Sequence, residues 1–272
     1  MTVTGLKLQF WALINLIHTM PHIISEADNV ALTAITTAQE IKAAVFLLNA
    51  DSSPGPDGFT GFFFHHCWEI VEYDVVITKI LASRLSPLAE RIISKEQYGF
   101  IPNRNSQQAI GLASELINEL KAPRRGGSIA IKIDISQAFD IMDWEFLWAV
   151  LQQLGFSGTW IQWIKGAFTT NSLSIMLNGV PQGHFTAQRG LKQGDPLSPL
   201  LFALAEDCLS RNISHMVREK KILPMVVNAK YSSPSHLMFA DDMFIFSNAN
   251  LRSIKNLVKI LSSIEDSLTG SL

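Results

Sequence analysis

His236-Leu237-Met238-Phe239-Ala240-Asp241-Asp242-Met243-Phe244-Ile245-Phe246-Ser247 is the stretch that decides how this chain folds. Two short runs of apolar and aromatic side chains flank an adjacent pair of acids. Such runs predict strands, here 236–240 and 243–247, with the acids at the turn between them. Asp is an ordinary turn residue, so an exposed Asp-Asp turn is one reading. A metal site is the other, because like charges held together against apolar strands are costly unless a cation neutralises them.

A third carboxylate ends another predicted strand. Across Ile129–Asp134, Ile129, Ile131 and Ile133 face one way and Ala130, Lys132 and Asp134 the other. Three carboxylates brought together suit Mg²⁺, which takes oxygen ligands and keeps waters or substrate phosphates. Two such ions about 3.5–4 Å apart hold the attacking and leaving oxygens of a phosphoryl transfer.

The remaining pattern is mostly helical. Thr37 and Glu40 form a capping-box pattern at the start of a helix over Thr37–Leu48. Helices are expected over Phe59–Val76, Ile77–Leu88, Ser106–Leu120, Trp144–Leu154, Thr159–Thr169 and Leu251–Leu268. Ser198-Pro199 opens another, with Ser as N-cap and Pro at the first helical position. Ser52–Gly58 reads as a loop, and Leu173–Asn178 as a strand ending at an Asn178-Gly179 hairpin turn. The mixture predicts an α+β fold, a small antiparallel sheet backed by helices.

Composition narrows the function. The chain has 272 residues, 47% hydrophobic and 17% charged, which excludes a disordered protein. A net charge of −2 excludes a wholly basic nucleic-acid coat. The charge is nevertheless blocked: residues 76–133 hold nine Lys/Arg against four Asp/Glu, and residues 134–200 hold three against five. A basic path beside an acidic site fits nucleic acid next to metal, and ordinary solvated faces fit as well. Cys67 and Cys208 build no disulfide framework, so a reduced intracellular compartment is expected. Leu8–Ser25 lacks charge but contains Gln9, Asn15, His18, Pro21 and His22, and is read as an amphipathic helix within a leader over 1–36 rather than a membrane span.

Two clusters have competing readings. His65-His66-Cys67 suggests metal binding, but consecutive residues point around a helix, which favours packing. Trp160 and Trp163 suit base stacking, yet beside Ile161 and Ile164 they suit a core.

Several segments together resemble one family. Phe239-Ala240-Asp241-Asp242 resembles the aromatic-x-Asp-Asp hairpin of reverse transcriptases. Asp134-Ile135-Ser136-Gln137-Ala138-Phe139-Asp140, followed by Asp143-Trp144, resembles the first-carboxylate motif of the non-LTR, LINE-type group. Arg189-Gly190-Leu191-Lys192-Gln193-Gly194-Asp195-Pro196-Leu197-Ser198-Pro199-Leu200-Leu201-Phe202 resembles that group's most distinctive palm segment. Ser53-Pro54-Gly55-Pro56-Asp57-Gly58-Phe59 and Gln97-Tyr98-Gly99-Phe100 also match, all in the expected order. The plant LINE-like branch fits best.

This resemblance implies a polymerase right-hand palm over 129–272, a remnant of fingers or N-terminal helices over 37–128, and the leader over 1–36. It makes Asp134, Asp241 and Asp242 the catalytic, metal-holding carboxylates, with the Ile135 carbonyl completing a shell around two Mg²⁺ ions, or Mn²⁺ in their place. Phe139 matches the aromatic gate that disfavours a 2′-hydroxyl. Gln193 and Gly194 match the loop at the incoming nucleotide and template. Arg104 is a candidate contact to template phosphates, against the reading of a solvated surface residue. The implied reaction is RNA-directed DNA synthesis from deoxynucleoside triphosphates on an RNA template with a DNA primer, in the nucleus and with no membrane.

The sequence also departs from the family pattern. Only Thr60–Glu96 separates the Pro-Gly-Pro-Asp-Gly loop from the Gly-Phe segment, without the Lys and Arg signatures of the fingers. The expectation is an internal deletion near Val75–Ile77, fingers mostly missing, the thumb absent and activity weak or lost. Gln137 stands where the family usually has Lys, and Asn103 where it usually has Gly. Two alternatives follow: a non-enzymatic retroelement relic with weak nucleic-acid binding, or another metal-dependent phosphotransfer enzyme such as a nuclease. The Phe139 gate argues against the nuclease, which has no nucleotide sugar to screen.

Overall fold

The structure is a computed structural model that describes residues 10–47, 61–66, 77–122, 126–135, 137–169, 172–178, 180–225, 227 and 233–265. Most of the expected helix over 59–76, the loop at Ser52–Gly58 and the end of the helix beyond 265 lie outside these residues.

In chain order the elements are a 3-10 helix at Phe10–Thr19, α1 (Glu26–Leu32), α2 (Ala38–Phe46), α3 (Gly61–His66), α4 (Ile77–Ile92), α5 (Ser106–Glu119), β1 (Ser128–Asp134), α6 (Trp144–Leu154), α7 (Gly158–Thr169), β2 (Ser172–Leu177), β3 (Val180–Thr186), α8 (Ser198–Arg218), β4 (His236–Phe239), β5 (Asp242–Asn248) and α9 (Leu251–Glu265). The fold is mixed helix and sheet. β1, β5 and β4 form an antiparallel sheet with β5 central, and β2 and β3 pair separately. Asn178, at the β2–β3 turn, takes φ 49°, a left-handed conformation that Asn tolerates.

Period-2 alternation gives the main sheet two different faces. Ile131, Ile133, Met238, Met243 and Ile245 enter the main core, together with Phe146, Leu147, Trp160 and Phe202 from the helices. Ala130, Leu237, Phe244 and Phe246 meet Leu112, Ala113 and Leu116 of α5 in a smaller cluster on the other side. That cover stops short of the β1–β5 end that carries the acids. α8 is buried almost all round, from Ser198 to Ile213, as the central helix of the core.

Helix boundaries show which side chains compete. Thr37 Oγ1 accepts from the Glu40 amide as the capping pattern predicts. The Glu40 carboxylate does not close the box; it takes Nε and Nη2 of Arg84 at 2.6 and 2.7 Å. A buried bidentate guanidinium outbids a cap amide for an anion. The complete capping box is at α1, between Ser25 and Asp28. α4 runs on past Leu88 to Ile92 despite Pro87, because Ala89 and Ile92 extend its buried stripe. At α8 the expected cap is corrected: Leu197 occupies the N-cap, and the Asp195 carboxylate accepts from the amides of Leu197 and Ser198.

Residues of the expected leader pack onto the rest. The 3-10 helix lies against α6, α8 and α9. The amides of Ile23 and Ile24 both donate to the Leu154 carbonyl, and Asn29 bonds both Gly155 O and the Ser157 amide.

Candidate active site

The β1–β5 register sets Asp134 directly opposite Asp242. β4 and β5 close at Phe239↔Asp242, which leaves Ala240 and Asp241 as a two-residue turn. The Ile135 amide donates to the Asp241 carbonyl at 3.2 Å, tying the end of β1 to that turn. The sheet therefore gathers Asp134, Asp241, Asp242 and Ile135 at one end.

Lys132 lies two residues before Asp134 and so shares its face. Its ammonium is 2.7 Å from Asp242 Oδ1, with both side chains partly exposed. The hydrogen bond to Asp242, and then the charges of Asp242, Asp134 and Asp241, push the Lys132 pKa up against the opposing effect of burial. Among the described residues no three His, Cys, Asp or Glu side chains converge as a ready-made metal cluster. The donor set itself, carboxylate oxygens without sulfur or imidazole, suits a hard cation such as Mg²⁺. The Lys132 ammonium supplies the positive charge on Asp242.

Behind the acids the turn is strained and clamped. Ala240 has φ 54°, and Asp241 is not among the positive-φ residues. That is the sign pattern of a II′ turn, whose first central position favours Gly. The buried Gln97 side chain accepts at Oε1 from the Gly99 amide at 2.8 Å and the Ala240 amide at 3.2 Å. Its Nε2 donates to Glu206 Oε2 of α8 at 2.7 Å. Residues 96–98 run beside β4, with Met238 N bonded to Glu96 O and Tyr98 N to Met238 O. At Gly99 an added Cβ would lie 2.4 Å from Ala240 N.

The expected nucleotide-side residues lie on a second stitched segment. Phe139 is half-buried, stacked on Phe202 at 4.9 Å and edge-on to Phe100 at 6.3 Å. Leu191 N donates to Phe139 O, Gly190 N to Met142 O, and Trp144 Nε1 to Gly190 O. These bonds hold the loop that presents Gln193 and Gly194, both exposed, beside the Phe139 segment. Gly194 has φ 87°, which Gly adopts freely.

Arg104 is corrected. Its guanidinium turns inward to the carbonyls of Glu90, Ile93, Ser94 and Gln97, capping the end of α4. Burial pushes its pKa down, and the fork is committed to main chain rather than offered to phosphate. Asn103, where Gly was expected, has φ 63°, a left-handed position that Asn and Gly share. His65 and His66 pack: each ring bonds a carbonyl, of Val45 and of Phe62, and stacks on Phe46 and Phe62 respectively. Trp160 is fully buried and Trp163 is 38% exposed, so the core reading holds for the first only.

Three neighbours of the acids escaped the sequence reading: Lys132, Glu206 and the inward role of Gln97. Lys132 was visible on the Asp134 face of the strand. Glu206 was visible, with Asp207 beside it, as one of two adjacent acids inside the otherwise apolar helix stretch Leu200–Leu209.

Comparison with known proteins agrees with this arrangement. The family model "Reverse transcriptase (RNA-dependent DNA polymerase)" matches residues 73–269. A retrovirus-related Pol polyprotein from the type-2 retrotransposable element R2DM of Drosophila melanogaster is 27% identical over 177 residues, 64% of this chain and 16% of that protein. The transposon TX1 uncharacterized 149 kDa protein of Xenopus laevis is 22% identical over 276 aligned positions, 82% of this chain and 20% of its own length. That alignment is longer than the whole chain although part of the chain takes no part, so the relative carries sequence without a counterpart here. An uncharacterized mitochondrial protein of Arabidopsis thaliana is 46% identical over 72 residues, 26% of this chain and 57% of that protein. The chain spans a fifth or less of the length of the two retroelement proteins. With the family model covering most of the chain and the acids gathered at one end of the sheet, the chain belongs to the reverse transcriptase (RNA-dependent DNA polymerase) family and is homologous to retrotransposon Pol proteins.

Proposed function

We propose that this chain is the palm of an RNA-directed DNA polymerase from a non-LTR retroelement of the plant LINE-like branch, shortened by an internal deletion near Val75–Ile77. The observation that carries the reading is the pairing of Asp134 with Asp242 across β1 and β5, with Asp241 on the adjoining turn. Asp134, Asp241, Asp242 and the Ile135 carbonyl would hold Mg²⁺, or Mn²⁺ in its place. When bound, the metal supplies positive charge where the primer 3′-oxygen and the leaving pyrophosphate develop negative charge. Lys132, which pairs with Asp242, would have to yield that carboxylate for it to serve as a ligand. Phe139 fills the space a 2′-hydroxyl would need, and the exposed Gln193-Gly194 loop offers backbone to the incoming deoxynucleotide and template. The primer 3′-hydroxyl gives its proton to solvent as its oxygen bonds the α-phosphorus, the bond from that phosphorus to the bridging oxygen breaks, pyrophosphate leaves, and the primer grows by one nucleotide. The partners are an RNA template and a DNA primer, and the site of action is the nucleus.

A second reading, a relic that keeps the acids but barely polymerises, has its own support. The TX1 relative carries sequence this chain lacks, and the stretch before Gln97 shows no fingers-type Lys or Arg signature. Each lost charge-assisted triphosphate contact costs roughly 1.5–3 kcal/mol, so two cost about two to four powers of ten in rate.

Primer extension on an RNA template, with Mg²⁺ and then Mn²⁺, separates the two. Extension that disappears in Asp241→Ala/Asp242→Ala establishes the polymerase. No extension from a chain shown to be folded establishes the relic.

A further inference from the structure

We propose that Gln97, braced by Glu206, is a positioning residue that holds the Ala240-Asp241 turn in the shape needed for metal uptake by the acids. The inference rests on the metal-centre reading above and names what keeps that centre in register.

The geometry is closed on every side. Gln97 is 1% exposed and every polar atom of its side chain is used on this device. Its carbonyl oxygen takes two amides at once, that of Gly99 in its own segment and that of Ala240 in the turn. Its amide nitrogen donates to Glu206, itself 1% exposed. Two further bonds anchor the segment to α8: Asp207 Oδ1 accepts from the Ser94 amide, and Arg211 donates to the Ile92 carbonyl. Arg211 also pairs with Asp207 at 2.6 Å. The path thus runs from the central helix, through residues 92–99, to a turn whose first residue sits at φ 54°. An L-residue in that region costs about what a hydrogen bond returns. Without the Gln97 acceptor, Ala240 has reason to relax, and Asp241 follows it in sequence.

Glu206 sits where its neutral form is favoured. Its Oε1 meets no hydrogen-bond donor among the described residues. Burial first, and then the charges of Asp241 and Asp207, hold its carboxyl well above the usual carboxylate range. A neutral acid and a neutral amide offer the same acceptor to Gln97 Nε2, so Glu206→Gln keeps the brace. Glu206→Leu removes the acceptor, and Gln97→Leu removes the clamp.

The test uses the full chain, Mn²⁺ as the probe, electron paramagnetic resonance for binding, and amide hydrogen exchange at Ala240. Circular dichroism confirms the fold of each variant. Support around metal ligands is typically worth about tenfold to a hundredfold in affinity. Gln97→Leu and Glu206→Leu are expected to weaken Mn²⁺ binding by about that factor and to speed exchange at Ala240, while Glu206→Gln stays within about twofold of the parent in both. Faster exchange with unchanged Mn²⁺ affinity in folded Gln97→Leu overturns the proposal, since the clamp would then be structural only. Unchanged exchange overturns it at the first step. A parent chain that takes up no Mn²⁺, whatever the exchange rates, refutes the metal-centre reading and removes the proposal with it.

Discussion

Replacing Gly99 by Ala presses directly on the turn that carries the acids. The new Cβ would stand 2.4 Å from Ala240 N and 3.2 Å from Ala240 Cα, where ordinary contact begins at 3.4 Å. Both atoms are backbone, so no side chain can swing aside, and the two segments must part by about 1 Å. Overpacking of this kind costs roughly 1–3 kcal/mol. The stiffer unfolded chain returns about 0.4–1 kcal/mol, because Gly99 has no positive φ to forbid Ala. The net expectation is a destabilisation of about 1–2 kcal/mol, read as a lower urea midpoint. A shift of about 1 Å in positioned groups costs on the order of a hundredfold in rate, so Mn²⁺ uptake and any primer extension fall further than stability does. Gly111→Ala supplies the comparison, since nothing lies within 4 Å of its Cβ and α5 gains a better helix former. It should be neutral or stabilising by up to about 1 kcal/mol. A Gly99→Ala chain with the parent's midpoint and metal affinity would refute the close-packing argument.

Other outcomes follow from buried and paired groups. His236 lies between Ser210 and Ser235, and burial lowers its pKa to about 4 from 6.5. The unfolded chain therefore binds the proton first: this stability is full above pH 6.5, falls toward pH 4 and amounts to about 3 kcal/mol. Urea midpoints measured from pH 7 to 4.5 should drop in the parent and flatten in His236→Gln; equal slopes would count against the buried neutral ring. Lys132→Met frees Asp242, and since exposed ion pairs are worth about 0.2–1 kcal/mol, Mn²⁺ affinity should rise up to about fivefold; weaker binding would make Lys132 a helper rather than a competitor. Arg104→Met strips four carbonyls of their donor and should cost about 2–4 kcal/mol in urea, while the salt dependence of binding to an RNA–DNA duplex stays unchanged. A salt slope reduced by about one charge at parental stability would return Arg104 to the phosphates.

The elements with strong periodicity could be read from sequence, because their burial is local. The alternation of Ile129–Asp134 and the two runs around Asp241-Asp242 specified which faces turn inward. Pairing Asp134 with Asp242 needed the register, which no single strand states. Caps were legible only where no distant group interfered: Thr37 behaved as expected, while Glu40 was taken by Arg84 from 44 residues away. The same limit applied to Arg104, whose four carbonyl partners converge only once α4 ends and the chain folds back. Glu206 and Gln97 are 109 residues apart in sequence, so their bond had no local signature at all.

The docking of residues 10–29 has a consequence for synthesis. Gln153 bonds the Met20 carbonyl, and Asn29 bonds Gly155 and Ser157, across separations of 133, 126 and 128 residues. The 3-10 helix also rests on α8 and α9. Ile23 and Ile24 therefore leave the ribosome long before Leu154 exists to receive their amides. Contacts of such long range fold slowly and leave apolar surface open to other chains in the meantime. This apolar segment is made before the helices that receive it, and a nascent chain of this protein has to be kept from its neighbours until α6, α8 and α9 have all emerged.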